Sequence, residues 1–135
     1  MRAFGRSFGA VILGLFLSVL ITVGFETLGN RLYPLPPGID PRDREALKAF
    51  AAALPAGALL LVLAGWVVGA FCGTLVAGAV AGRARMAHAM IVALLLLATA
   101  VVNMAMLPHP VWMWVASVAL LPLASYAAGR LATRN

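Results

Sequence analysis

The chain has 135 residues, of which 64% are hydrophobic and only 10% are charged, and its formal net charge is +6. An ordinary soluble domain is about half apolar and about a quarter charged, so this composition excludes a disordered chain and argues strongly against a soluble globule. The length suits a single domain over residues 1–135, and the composition predicts a small integral membrane protein.

Four apolar runs are long enough to cross a bilayer, which takes about 20 residues of helix. They cover approximately residues 8–28, 54–81, 86–107 and 111–131. The links at residues 82–85 and 108–110 are short, so the helices that they join must be antiparallel neighbours. The sequence therefore predicts an all-α fold, an integral membrane four-helix bundle.

The long connection over residues 29–53 is predicted to begin as a loop and to end as a short helix. Its first part contains three prolines, which lack N–H donors and keep the chain extended or turning. Asp40 is a good N-cap, Pro41 suits the first helical position, and Asp43 follows three residues after the cap. Apolar residues then recur at helical spacing, which predicts either an amphipathic outer helix at the membrane surface or an extension of the second spanning helix.

The basic residues divide unevenly between the two sides of this topology. Six lie on the side of both termini, without an acidic residue, namely Arg2, Arg6, Arg83, Arg85, Arg130 and Arg134. The other side has four basic and four acidic residues. Because Lys and Arg in short loops collect on the cytoplasmic side, we predict that both termini are cytoplasmic. The arginines form no basic stripe, so we expect them to contact the lipid bilayer and expect no nucleic-acid partner.

Small residues recur every four positions along two of the predicted helices. In the second run this row includes Gly65, Gly69, Gly73 and Ala77. In the first run it includes Gly14, Ser18 and, further along, Glu26. Helices in lipid associate through close packing of small residues, so both rows are predicted helix-packing surfaces. The partner of the glycine row is either another helix of this chain, which a four-helix bundle favours, or a second copy or another membrane protein.

Polar residues gather near the outer ends of the predicted helices. They form a candidate outer polar site of Glu26, Asn30, Arg31, Thr99, Asn103, His109 and Trp112. An ionisable residue in a membrane helix is a functional candidate by default, which predicts a site with Glu26 as its charged or proton-accepting member. In the alternative interpretation, Glu26 bonds Asn103 or the backbone and only holds the helix ends together.

The residue patterns of several catalytic classes are missing from the sequence. There is no H-x-x-x-H or C-x-x-C pattern, and we expect no metal, haem or di-iron site and no cofactor. No second carboxylate lies near Glu26 for acid–base work, and no P-loop or G-x-G-x-x-G pattern is present outside the apolar runs. We therefore expect no catalytic residues and no enzymatic activity.

Three segments carry a resemblance to a known group of proteins. They are FETLGNRLYP at residues 25–34, PPGID at residues 36–40 and PHPVW at residues 108–112. These segments resemble those of small uncharacterised bacterial four-helix inner-membrane proteins, which have no assigned activity. The resemblance implies the four-helix fold, the bacterial cytoplasmic membrane as location and a role for the outer surface, and it assigns no role to any residue.

These patterns lead to one functional prediction and two alternatives. The prediction is a non-enzymatic multi-pass membrane protein, an accessory, scaffold or envelope protein whose outer surface meets a partner. The first alternative is a small dimeric proton-coupled transporter or channel that uses Glu26. The second is a lipid-acting enzyme near the outer headgroups that uses His109 and Glu26.

Overall fold

The computed structural model describes residues 2–134, with side chains over residues 5–134. Over this range the chain forms five α-helices and no strand, so the all-α prediction is confirmed. The helices are α1 (Arg2–Leu32), α2 (Arg44–Ala53), α3 (Ala56–Ala81), α4 (Arg85–Met106) and α5 (Val111–Arg134). Four of them, all except α2, are long and apolar enough to cross a membrane.

The four long helices form a bundle in which α3 is central. Helix α3 packs against α1, α4 and α5, whereas α1 packs mainly on α3 and touches α4 only sparsely. The short links between α3 and α4 and between α4 and α5 make these helices antiparallel neighbours. Helix α1 is also antiparallel to α3, since Gly14 lies beside Gly73 and Gly29 lies beside Leu61. We call the two ends of the bundle the α2 end, where α1 finishes and α3 begins, and the terminal end, where α1 begins and α5 finishes.

Helix α1 continues further than the sequence analysis predicts. The predicted loop begins at residue 29, but Tyr33 donates its backbone N–H to the Gly29 carbonyl at 2.7 Å, and the helix ends at Leu32. A glycine inside a helix costs only about 1 kcal/mol, which packing overcomes, whereas Pro34 disfavours a helical conformation in the residue before it. Asn30 and Arg31 therefore belong to α1 and not to the loop.

Helix α2 begins at Arg44, and its N-cap is Asp43 rather than the predicted Asp40. The Asp43 carboxylate accepts the backbone N–H groups of Glu45 and Ala46 at 3.0 and 3.1 Å. Asp40 instead accepts from the backbone N–H of Arg42 at 2.9 Å in the preceding turn. Both aspartates fit the capping pattern. Pro41, which follows Asp40, does not decide between them, because proline is as favourable at the second position of a turn as at the start of a helix.

Helices α2 and α3 are separate, so α2 is not an extension of the second long helix. Leu54 and Pro55 both have extended backbones, with ψ values of 136° and 156°. Proline restricts the residue before it to extended conformations, so the helix must stop at Ala53. Helix α3 accordingly begins at Ala56, two residues later than predicted.

Helices α1 and α3 approach each other backbone to backbone along their rows of small residues. The Ser18 hydroxyl lies 2.8 Å from the Gly69 carbonyl of α3 and 3.0 Å from the Gly14 carbonyl of α1, and its single proton serves one of them at a time. A Cβ atom added to Gly14 would lie 2.6 Å from the Gly73 carbonyl oxygen. The residues of the predicted packing rows that are buried here are Gly14, Ser18, Gly65, Gly69, Gly73 and Ala77.

Arginines at the terminal end satisfy carbonyl groups at the ends of helices. Arg6 donates to the Val80 carbonyl of α3 at 2.8 Å, and Arg85 donates to the Ala132 carbonyl of α5 at 3.0 Å. The last carbonyls of a helix have no partner within it and carry partial negative charge, so guanidinium groups stabilise them. The side chain of Arg2, another basic residue of this end, lies outside the described residues.

Candidate functional site

Three of the predicted polar residues line one cleft of about 220 Å³ between α1 and α4, which runs from the middle of the bundle toward the α2 end. Helix α1 contributes Ser18, Thr22 and Glu26 at four-residue spacing, and α4 contributes Thr99 and Asn103. Residues four apart lie on one side of a helix, so each helix presents a polar row to the cleft. Because α1 touches α4 only sparsely, the two rows face each other across a gap.

The deeper wall of the cleft is apolar and comes from the other two long helices. Helix α3 contributes Trp66 and Ala70, and α5 contributes Leu121. Ala70 and Leu121 are buried, whereas Glu26, Thr99 and Asn103 are exposed at the surface of the bundle. The cleft is therefore polar at its mouth and apolar at its base.

The hydroxyl groups of the cleft direct their protons to main-chain carbonyls. Thr99 donates to the Leu95 carbonyl at 2.8 Å, and Ser18 donates to a glycine carbonyl as described above. The Thr22 hydroxyl donates to the Gly65 carbonyl in the same way, over a longer distance of 3.5 Å. A hydroxyl that donates its proton keeps its oxygen lone pairs as acceptors. Thr22 and Thr99 thus keep acceptor lone pairs, whereas Ser18 is 1% exposed and its hydroxyl lies in the contact between α1 and α3.

The Glu26 carboxylate has no partner among residues 5–134. The one ion pair in this range joins Lys48 to Glu45 at 3.0 Å, so Arg31 forms no ion pair with Glu26. None of the side-chain hydrogen bonds in the same range involves Glu26 or Asn103. In the described residues the Glu26 side chain therefore makes no hydrogen bond to Asn103 or to the backbone.

The other predicted site residues lie elsewhere. Asn30 and Arg31 are exposed on the last turn of α1 and do not line the cleft. His109 and Trp112 line a second cavity of about 450 Å³, formed with Ala51 and Leu54 beside α2. The predicted outer polar site is thus divided between two places.

Trp66 lies between these two places. Its ring lines the cleft, and its centroid is 6.2 Å from that of the His109 ring, with the planes tilted by 46°. His109 itself donates from Nδ1 to the Leu107 carbonyl at 2.9 Å, which fixes the ring. Trp66 was not among the predicted site residues, because nothing in an apolar run marks which of its large side chains meets polar groups from other helices.

The described residues provide no metal centre. Within residues 2–134, no group of three or more His, Cys, Asp and Glu side chains lies close enough to hold a metal ion. The chemistry that the cleft does provide is one carboxylate, several hydroxyl and amide groups, and an indole ring against an apolar base. Pockets that hold small molecules commonly combine an apolar surface with a few polar groups in this way.

Comparisons of the chain with family models, with curated proteins and with solved structures found no match. The resemblance to bacterial four-helix inner-membrane proteins therefore stays a prediction, and the candidate site is defined by its geometry alone.

Proposed function

We propose that the chain is an integral protein of the bacterial cytoplasmic membrane with four spanning helices. The support is the surface of the bundle, where large apolar side chains are exposed on α1, α4 and α5, including Phe16, Leu94 and Leu123, each at least 64% exposed. A soluble monomer rarely exposes contiguous apolar patches on this scale. In a bilayer the same side chains contact lipid.

The proposed orientation places both termini in the cytoplasm. The segments of the chain at the terminal end contain no acidic residue. Their basic residues include Arg6, Arg83, Arg85, Arg130 and Arg134. Basic residues of this kind are retained on the cytoplasmic side and contact anionic headgroups. The α2 end then lies on the outer surface, where its equal numbers of acidic and basic residues carry no net charge.

Helix α2 is proposed to lie along the outer membrane surface. None of its ten residues is buried in the bundle. Leu47 and Phe50 are partly covered, whereas Arg44, Glu45 and Lys48 are exposed. An amphipathic helix of this kind rests in the interface with its apolar side toward the acyl chains and its charges in water.

Within this topology, the proposed function is non-enzymatic binding of a partner molecule from within the bilayer at the cleft between α1 and α4. The observation that supports it is the unpaired Glu26 carboxylate at the mouth of the cleft. An ionisable group on a membrane helix is costly unless something pairs with it, so the mouth of the cleft favours an occupant. A protein of this kind acts as an accessory or scaffold component of the membrane.

The depth of Glu26 fits a partner that approaches from the bilayer. The apolar part of α1 has 28 residues, a length of about 42 Å, whereas the hydrocarbon core is about 30 Å thick. A centred helix thus extends about 6 Å beyond the core at each end. Glu26 lies six residues before Leu32, about 9 Å from the end of the helix, which places it about 3 Å inside the hydrocarbon boundary.

Transport through Glu26 is the less favoured alternative. A path across the membrane would have to continue from the cleft toward the terminal end. There the helices are tightly packed through small residues, since a Cβ atom on Gly78 would lie 2.7 Å from the Ala132 Cβ atom, and one on Gly129 would lie 2.9 Å from the Met86 sulfur. A cleft that does not continue through this packed end suits binding better than conduction.

Photocrosslinking from inside the cleft tests the proposed function. A photoreactive residue is placed at Val23, which lines the cleft, and at Val118 on α5, which does not. The two valines are matched in exposure, at 48% and 51%. After irradiation of intact membranes, mass spectrometry is expected to find a discrete adduct at Val23 that is absent at Val118. The same adducts at both positions would overturn the proposal, and proton flux in proteoliposomes that Glu26→Gln abolishes would favour transport.

A further inference from the structure

The balance of donors and acceptors in the cleft indicates what kind of group it binds. Glu26 contributes only acceptors when it is ionised, and the oxygens of Thr22 and Thr99 keep free lone pairs because their protons go to main-chain carbonyls. Asn103 adds an amide oxygen and the amide N–H donors. A cleft that is rich in acceptors and contains an unpaired negative charge selects a cation with several N–H donors.

We propose that the cleft binds the headgroup ammonium of a phospholipid that carries a primary amine, as phosphatidylethanolamine does. This inference rests on the proposed function and names the occupant of the same site. A primary ammonium has three donors and no acceptor, like the side chain of lysine, so it matches a lining that offers a carboxylate and further acceptors. The charge of the ammonium also compensates that of Glu26.

The position of the cleft favours a lipid over the lysine of a partner helix. Glu26 lies close to the hydrocarbon boundary, so a lipid reaches it without leaving its own leaflet. Val19 and Val23 are exposed beside the polar row of α1, and Leu96 lies on the α4 side of the cleft. These aliphatic side chains provide a surface for the upper part of an acyl chain. The cleft, at about 220 Å³, accepts the headgroup end of a lipid and not the whole molecule.

Hydrogen bonding distinguishes a primary ammonium from the quaternary ammonium of choline. The indole ring of Trp66 attracts either cation, so it contributes to affinity and not to selectivity. A choline group has no N–H and cannot donate to Glu26 or Asn103. Hydrogen bonds to charged groups are strong enough that we expect about tenfold selectivity for the ethanolamine lipid.

Fluorescence quenching of Trp66 measures this selectivity. The full chain with Trp112→Phe and Trp114→Phe retains Trp66 as its only tryptophan, since the chain has three. It is reconstituted in vesicles of unbrominated choline lipid that contain a rising fraction of lipid with brominated chains. We expect brominated phosphatidylethanolamine to quench Trp66 at about one tenth of the mole fraction that brominated phosphatidylcholine requires.

Three variants relate the selectivity to the carboxylate. Glu26→Gln is expected to abolish the difference between the two lipids, whereas Glu26→Asp keeps a carboxylate and should retain most of it. Glu45→Gln is the matched control, because Glu45 lies on α2 and pairs with Lys48 away from the cleft. Retention of the selectivity by Glu45→Gln and its loss in Glu26→Gln would support the proposal.

Other outcomes separate this inference from the proposed function. Equal quenching by the two lipids would overturn ammonium recognition and leave the cleft as a binding site. Stronger quenching by brominated phosphatidylglycerol than by the ethanolamine lipid would also overturn it, because an anion does not suit an acceptor-rich cleft. A protein adduct in place of a lipid adduct at Val23 would replace the lipid by a partner helix. The absence of any specific adduct at Val23 would overturn both proposals.

Discussion

The contact between α1 and α3 yields a prediction whose size follows from the structure. In Gly14→Ala the new Cβ atom would lie 2.6 Å from the Gly73 carbonyl oxygen and 2.9 Å from the Ala77 Cβ atom. An ordinary carbon–oxygen contact is about 3.3 Å or longer, so the two helices must separate by about 0.7 Å. Because one contact is with backbone, rotation of a side chain cannot relieve it.

That separation has two energetic consequences. It lengthens the hydrogen bond from Ser18 to the Gly69 carbonyl, now 2.8 Å, which costs about 1 kcal/mol. It also strains a well-packed interface, which costs about 1–3 kcal/mol. The better helix propensity of alanine offsets about 0.5–1 kcal/mol of this cost, so we expect Gly14→Ala to lower the free energy of unfolding by about 1–3 kcal/mol.

Gly24→Ala is the matched control on the same helix. A Cβ atom at Gly24 would meet no atom within 4 Å outside its own helix and chain neighbours. Alanine is the better helix former, so this variant should gain about 0.5–1 kcal/mol. Both variants are compared in mixed micelles by titration with a denaturing detergent, with helix content followed by circular dichroism. Equal stability of the two variants would refute the close backbone contact.

Three further changes test separate parts of the structure. The Ser117 hydroxyl is buried without a hydrogen-bond partner among residues 5–134. Ser117→Ala should therefore raise the free energy of unfolding by up to about 1 kcal/mol. A loss of stability in the same detergent titration would show that the hydroxyl is hydrogen-bonded. Ala84 has a φ of +46°, a left-handed conformation that favours glycine. Ala84→Gly should stabilise the chain by about 1 kcal/mol, and Ala84→Val should destabilise it. The opposite order of stability would contradict the left-handed turn. Alkaline phosphatase should be inactive when fused after Arg134 and active when fused after Pro37, and the reverse result would exclude the proposed orientation.

The helices were predictable because their signal is local, whereas several of their ends were not. A long apolar run identifies a helix by composition alone, and this identified α1, α3, α4 and α5. The end of α1 depends on whether Gly29 interrupts it, and packing of that turn beside Leu61 is a tertiary contact. The start of α2 depends on a choice between Asp40 and Asp43, which satisfy the same local rule.

The candidate site was predictable only in part, for a similar reason. Topology places Glu26, Thr99 and Asn103 at one end of the bundle, and four-residue spacing places Thr99 and Asn103 on one side of their helix. Which side each helix turns to its neighbours depends on the close packing of α1 on α3. That packing directs Trp66 into the cleft and separates His109 from it, and neither result follows from spacing along the chain.

The Glu26 carboxylate is proposed to face the lipid at the mouth of the cleft, and its reactivity toward a hydrophobic carbodiimide tests this most directly. The chain has four acidic residues, and only Glu26 lies in one of the four long helices. In intact membranes, mass spectrometry is expected to find the membrane-soluble reagent on Glu26, and a water-soluble carbodiimide with an added amine on Asp40, Asp43 and Glu45. Modification of Glu26 by the water-soluble reagent alone would contradict the claim, because the carboxylate would then face water and not lipid.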